Sequence, residues 1–224
     1  MKSWTDEKKK IWALEDAHAY DKGIGEYVNQ RENALIRSWI AHSRLLLDLP
    51  CGSGRFLGSL RGTVVSADYA IQMVRMSASR GVKRQVVCDA FHLPFKESRF
   101  DGVLCMRLVF HYPETEELLA ELRRVLAPKG ILVIDTLNQF SLRYALQLVI
   151  RPFRARAKEL QFHRPKRFRQ QAKGWSVKGW DAMFLLPTRV YRHVPKFLLP
   201  VLRIFEMCVP KGLRTVSYWK LERI

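Results

Sequence analysis

Arg44-Leu45-Leu46-Leu47-Asp48-Leu49, followed by Pro50-Cys51-Gly52-Ser53-Gly54, is the stretch on which the reading of this chain turns. A short apolar run closes on an acid and opens into a turn with two glycines one residue apart. Runs of this kind, apolar without clean alternation, are strands buried on both faces of a parallel sheet. Glycine lets the backbone pass close to a ligand where a Cβ would collide. At the carboxyl end of the first strand of such a sheet, that turn sits at the topological switch point where ligands bind. Two glycines alone are equally compatible with an ordinary turn.

Outward from this stretch the pattern repeats. Thr63–Asp68, Gln85–Asp89, Phe100–Met106 and Ile131–Asp135 are further apolar runs separated by helix-length segments. In Glu114–Ala127, the residues Leu118, Leu119, Leu122, Val125 and Leu126 share one face. Pro113 stands ahead of that segment, and Pro128, Lys129 and Gly130 stop it. Five strands alternating with helices predict a doubly wound α/β sheet with right-handed crossovers. Residues 1–43 read as a helical lid, with Tyr20, Tyr27 and Arg31 at the mouth of the site, and 44–137 as the ligand-binding core. Residues 138–212 read as a basic, aromatic cap insertion and 213–224 as a terminal strand, all in a single domain. Within the cap, 139–155 is an amphipathic helix, with Leu142, Leu146, Val149 and Phe153 against Arg143, Arg151 and Arg154. A Pro/Gln/basic stretch (Phe162 to Lys173), Met183–Val190 and a helical Lys196–Met207 follow, before a strand-like Thr215–Leu221.

The chain has 224 residues, 48% of them hydrophobic and 27% charged, which suits one folded core. MKSWTDEKKKIW has positive charge but no apolar run behind it, unlike a secretory leader. The best spanning candidate, Phe197 to Val209, is short and is broken by Pro200, Arg203 and Glu206. Cys51, Cys88, Cys105 and Cys208 form no C-x-x-C pair, so neither a metal site nor a disulfide framework is expected, and the setting is a reducing cytoplasm. The net charge of +18 is uneven. From Ser141 onward there are 19 Lys and Arg against 4 Asp and Glu, so +15 of it falls in the last third. Such a field attracts phosphates, nucleic acid or anionic headgroups, unless it is merely a solvated face.

Acids give the glycine turn its meaning. The second strand ends in Asp68, twenty residues after Asp48, about where a carboxylate binds a ribose diol. The third ends in Cys88-Asp89-Ala90, a further carboxylate placed to meet an adenine amino group. One aspartate at a strand end commonly caps or turns. Three closing consecutive strands are harder to dismiss. A dinucleotide such as NAD needs a helix N-terminus open to pyrophosphate, conventionally G-x-G-x-x-G. Here Arg55-Phe56-Leu57 follows without the third glycine.

LLLDLPCGSGRF, then VVSADYAIQMV, VVCDAFHLPFKESRFDGVLCM and LRRVLAPKGILVIDT, resembles the class I S-adenosylmethionine-dependent methyltransferases, nearest the branch with the quinone-biosynthesis enzymes. The resemblance covers about residues 44–137. It implies a Rossmann-like, mostly parallel seven-stranded sheet with a helical cap, and S-adenosylmethionine as cofactor. By that resemblance Asp48, Gly52 and Gly54 belong to the loop around the methionine part. Asp68 is the ribose-binding acid with Tyr69 beside the adenine, Asp89 and Ala90 contact the adenine, and Cys105 and Met106 end the strand near the sulfonium. Pro50 replaces the first glycine of the family loop, fixing φ and removing one N–H donor.

An S-adenosylmethionine enzyme works mainly by in-line positioning and exclusion of water, and needs a base only for a protonated acceptor. His111, in LVFHYP after the fourth strand, is the best-placed candidate, with Tyr112 and Arg107 bordering the same cleft. Packing under the next helix is the plainer role for such a histidine. No Asn/Asp-Pro-Pro-Tyr/Phe segment and no Pro-Cys follows that strand, which disfavours amino groups of bases and covalent cytosine chemistry. The expected activity is O- or C-methylation of a small-molecule or lipid-like acceptor, with the basic helices on an anionic membrane surface at its inner face. RNA methylation through the basic third is the competing expectation. A protein that binds the cofactor without catalysis is a third.

Overall fold

The computed structural model describes residues 25–150 and 160–224. Tyr20 and the part of the 139–155 segment around Phe153, Arg151 and Arg154 lie outside them. The strands are β1 (Leu45–Asp48), β2 (Thr63–Asp68), β3 (Arg84–Val87), β4 (Phe100–Cys105), β5 (Leu126–Asn138), β6 (Phe162–His163), β7 (Trp175–Met183) and β8 (Val216–Arg223). The α-helices are α1 (Glu26–Ile40), α2 (Ile71–Ser79), α3 (Glu116–Val125), α4 (Leu142–Ile150), α5 (Pro165–Gln171) and α6 (Leu199–Cys208).

The sheet runs β3-β2-β1-β4-β5-β8-β7, with the two-residue β6 against the end of β5. β1 to β5 pair in parallel, whereas β8 is antiparallel to β5 and β7 to β8. Chain order reverses at β1, which has β2 on one side and β4 on the other. The expected Rossmann-like α/β sheet is therefore present, mostly parallel and with one short strand more than seven.

Period-two alternation sends strand side chains to two cores. Leu47, Val103, Cys105, Leu132, Ile134 and Trp219 join the core that holds α3. Leu46, Leu104, Val133 and Tyr218 join the opposite one, with Val28, Ile36 and Ile40 of α1. Burial on both faces is why β1, β2, β4 and the second half of β5 read as unbroken apolar runs, whereas β3 is an edge strand with Arg84, Gln85 and Val87 exposed. In α3, Leu118, Leu119, Leu122 and Val125 face the sheet, while Glu116 and Glu117 begin the helix and Arg123 and Arg124 end it, matching its dipole. The helix is shorter than the expected Glu114–Ala127, because Leu126 already pairs with Phe100 as the start of β5.

β7 went unread in the sequence. It is an edge strand whose Ser176, Lys178 and Asp181 interrupt the apolar pattern, and its register shifts between Val177 and Gly179. The expected run Met183–Val190 instead begins at the last residue of β7 and continues as an irregular segment. All four cysteines are free. Among the described residues there is no cluster of metal-ligating side chains, and no helix is long and apolar enough to cross a membrane.

Candidate cofactor cleft

The turn after β1 is strapped to its neighbours by backbone. Leu49 N–H donates to Leu104 O (2.9 Å) at the end of β4, and Cys51 N–H donates to Ala67 O (2.8 Å) near the end of β2. Left-handed backbone falls at Gly52 (φ +50°) and Gly54 (φ +78°), not at Pro50, so the proline occupies a position that needs no glycine. At Gly54 a Cβ would stand 2.7 Å from Leu57 Cδ1, whereas at Gly52 it would meet nothing within 4 Å. Gly54 serves the tight turn, and Gly52 presents bare backbone to open space. Beyond them the chain makes only a 3-10 turn, Leu57–Ser59, rather than an α-helix.

Asp68, at the end of β2, closes this turn from the side. Its Oδ2 accepts the Gly52 N–H (2.9 Å) and its Oδ1 accepts the Ala70 N–H (3.0 Å). Burial pushes its pKa up, and the backbone donors pull it back. A cleft opens here, over the carboxyl ends of β1, β2 and β4 and the segment after β3. Pro50, Gly52, Asp68, Tyr69, Asp89, Ala90, Met106, Arg107, His111 and Tyr112 of the expected set all line it. Tyr69 is exposed, and Asp89 Oδ1 accepts the Phe91 N–H (3.1 Å), fixing the turn after β3. Tyr112 is buried edge-on against Phe91, with ring centroids 4.9 Å apart. His111 ends the 3-10 turn Val109–His111.

Asp48, Gly54 and Cys105 are not among the lining residues. Cys105 is fully buried in the sheet. Asp48 lies under the turn, 1% exposed, and its Oδ2 has no hydrogen-bond partner. Its carboxyl is pushed up to about 8 by burial and then by the Asp68 charge, with Arg55 acting the other way. The native protein thus holds a proton that the unfolded chain releases. This contribution to stability is full below the ordinary aspartate range and is lost as the pH climbs from about 4 to about 8. Asp48→Asn is expected to melt with the wild type near the acid end of that window and several degrees above it near pH 8. Parallel melting curves across the window would remove Asp48 as the titrating group.

Tyr27 and Arg31 sit away from the cleft, where α1 meets α6. Tyr27 stacks on Tyr191 (centroids 5.7 Å apart), and Arg31 makes two 2.6 Å hydrogen bonds to Glu206. Arg107 lines the cleft in left-handed backbone (φ +69°). Its N–H donates to Asp135 Oδ1 (2.7 Å), and its guanidinium meets Glu32 and lies 3.4 Å from Asp135 Oδ2. Arg55, also lining the cleft, donates to Glu32 Oε2 (2.7 Å) and Asn29 Oδ1 (2.7 Å) and lies over the Phe56 ring. Tyr218 Oη donates to Glu32 Oε1 (2.6 Å). Burial alone would raise the pKa of Glu32, but the Arg107 and Arg55 charges together with the hydrogen bonds from Tyr218 and Arg55 outweigh it, and the pKa is lowered. Asp135 is pushed up to about 6 by burial, against the pull of Arg107.

Sequence reasoning missed this buried network. A signal existed: Val28, Glu32, Ile36 and Ile40 are spaced by four in α1, and one member of the stripe is an acid. A carboxylate on a buried helical face requires cationic partners.

Residues 47–134 match the family described as Methyltransferase domain. A demethylmenaquinone methyltransferase of Lactiplantibacillus plantarum is 28% identical over 49% of this chain and 52% of its own length. A Mus musculus protein named "Probable tRNA methyltransferase 9B" is 30% identical over 49% of this chain, but over only 26% of its own length. The chain thus spans about half or less of these two relatives. Among solved structures, the S-adenosylmethionine-dependent methyltransferase of Thermotoga maritima superposes with a TM-score of 0.62 at 15% identity, covering 88% of this chain and 97% of that one. The chain therefore has the Rossmann-like α/β fold of these methyltransferase structures, and the segment that builds the cleft matches the methyltransferase-domain family.

Proposed function

We propose that the chain binds S-adenosylmethionine in this cleft and transfers its methyl group to a small, lipid-like acceptor. One observation carries the reading. The Asp68 carboxylate ties the bare backbone of Gly52 to the cleft wall and still borders the open space, beside the exposed ring of Tyr69. A nucleoside offers two hydroxyl donors and an apolar base with an amino group. Asp68 supplies an acceptor for the first, Asp89 for the last, and Tyr69 and Ala90 supply apolar walls. A dinucleotide fits less well, because no α-helix starts after Gly54 to meet a pyrophosphate.

When bound, the cofactor supplies an electrophilic methyl carbon on a cationic sulfur. The protein orients the partners and keeps out water. Asp68 and Asp89 hold the nucleoside end by accepting hydrogen bonds, while Met106 and Leu108 give the cleft an apolar wall. The His111 imidazole can take the hydroxyl proton of a phenol-like acceptor. Arg107 is already engaged by Glu32 and Asp135, which favours a neutral acceptor over an anionic one. A phenol-like or quinone-like ring suits these features, and the menaquinone-pathway relative supports that class. The name of the mouse relative and the basic last third favour a second reading, transfer to RNA.

Thermal shift tests the cofactor first. S-adenosylmethionine and S-adenosylhomocysteine should raise the melting temperature with concentration, and NAD should not. No shift with either sulfur compound would leave the fold without its chemistry. Turnover is then sought with quinol-like phenols and with tRNA. Methylation of tRNA alone would select the second reading, and binding without turnover on any acceptor would favour a non-catalytic role. With a phenolic acceptor in hand, His111→Asn is expected to lower kcat by about a hundredfold while leaving S-adenosylhomocysteine affinity within about twofold. An unchanged kcat would return His111 to packing.

A further inference from the structure

The segment from Pro195 to Leu213 turns its apolar side chains outward. It comprises the 3-10 turn Lys196–Leu198, helix α6 and the 3-10 turn Lys211–Leu213. Phe197 is 76% exposed, Met207 72%, Ile204 63% and Phe205 61%, with Val201 and Leu213 also exposed. Leu199 and Leu202 hold the inner side against the core. The one acid of the segment, Glu206, also points inward. It is 2% exposed and clamped by Arg31. The outer face therefore carries apolar tips beside the basic side chains Lys196, Arg203 and Lys211, the last ion-paired with Asp181 (2.8 Å), with Arg192 just before it.

Contiguous exposed apolar side chains of this size mark an interaction site. The charges decide among partners. A second copy would bring basic rim against basic rim. RNA phosphates would satisfy the lysines and arginines and leave the phenylalanine, isoleucine and methionine tips in water. An anionic bilayer offers acyl chains to the tips and headgroups to the rim at once.

We propose that the face formed by Phe197, Val201, Ile204, Phe205, Met207 and Leu213 docks the protein on an anionic membrane surface. The helix lies in the interface, and its basic rim meets the headgroups. This placement does not rest on the methyl-transfer reading, because none of these residues lines the cleft. It does suit an acceptor that is delivered from lipid.

The test is co-sedimentation of the full chain with vesicles of phosphatidylcholine alone and with about one-third phosphatidylglycerol, at moderate salt. Wild type should bind the mixed vesicles and not the neutral ones. Phe205→Asp and Phe197→Asp should each weaken binding by roughly tenfold or more, since each removes an exposed aromatic that would enter the bilayer and adds an anion. Both side chains are exposed, so the melting temperatures should stay at the wild-type value. Should Phe205→Asp unfold, Phe197→Asp carries the comparison alone. Binding that survives both substitutions would mean diffuse charge attraction and overturn the proposal. Absence of binding to mixed vesicles would overturn it too, as would self-association that Phe205→Asp abolishes.

Discussion

Asp68→Ala is expected to lose S-adenosylhomocysteine binding almost entirely, with an affinity at least about a hundredfold below wild type by calorimetric titration. Two losses combine. In the proposed function the carboxylate is the acceptor offered to the ribose hydroxyls, and a hydrogen bond to a charged group contributes about 1.5–3 kcal/mol. The same carboxylate fixes the turn, since Gly52 N–H and Ala70 N–H both donate to it. In the variant both amides lose their protein acceptor, and the glycine turn is no longer held to the end of β2. Asp68→Asn separates the two roles. One amide oxygen can still accept from one of the backbone donors, but the –NH₂ group faces the other, so the turn is half held and the charge is gone. Its affinity should fall between the wild type and alanine values. Wild-type affinity in the asparagine variant would mean that charge is irrelevant. Wild-type affinity in the alanine variant would place the nucleoside elsewhere and remove the basis of the proposed function.

The legibility of this chain followed burial. β1, β2, β4 and the second half of β5 were found because both faces are covered, which leaves uninterrupted apolar runs. β3, an exposed edge strand, was found by its short Val86-Val87-Cys88 run, and the acids that close β1, β2 and the β3 segment stand out against these runs. The helices behaved similarly where one face is apolar, as in α3. β7 was missed because an edge strand with Ser176, Lys178 and Asp181 has no such run. Most of the residues that line the cleft came with the strand ends, since the switch point fixes which residues border it. What the sequence could not show is where long side chains reach. Asp48 shares a strand end with the site yet lies beneath the turn. Arg31, one residue from Glu32, turns away to Glu206, and Arg55 and Arg107 converge on Glu32 from loops 52 residues apart in the chain. Such pairings are decided by tertiary packing and leave no local periodicity.

Glu32→Ala is therefore expected to be among the most damaging single substitutions outside the apolar core. It strips the counter-charge from Arg55 and Arg107 and the acceptor from Tyr218, all in a site where Glu32 itself has no exposure. Breaking a buried ion pair by removing one partner costs about 3–5 kcal/mol, because the remaining charge is left without compensation. In a chain of this size that corresponds to a fall in Tm of roughly 10 °C or more. Asp135 still faces Arg107, so Arg55 is the guanidinium left worse off. Both arginines line the cleft, and the variant should also bind S-adenosylhomocysteine more weakly at temperatures where it remains folded. Glu32→Gln keeps the volume and one acceptor, so it should be damaged less. The pH dependence distinguishes charge from shape. The pKa of Glu32 is depressed in the folded state, so its contribution is present above the ordinary glutamate range and is lost as the pH falls through the lowered value. The gap in Tm between wild type and Glu32→Gln should thus be widest near neutral pH and narrow in acid, opposite in sense to the effect of Asp48. A gap that stays constant down to acid pH would mean that Glu32 acts by its shape, and the ion network would then be an accompaniment of the packing of α1 rather than its cause.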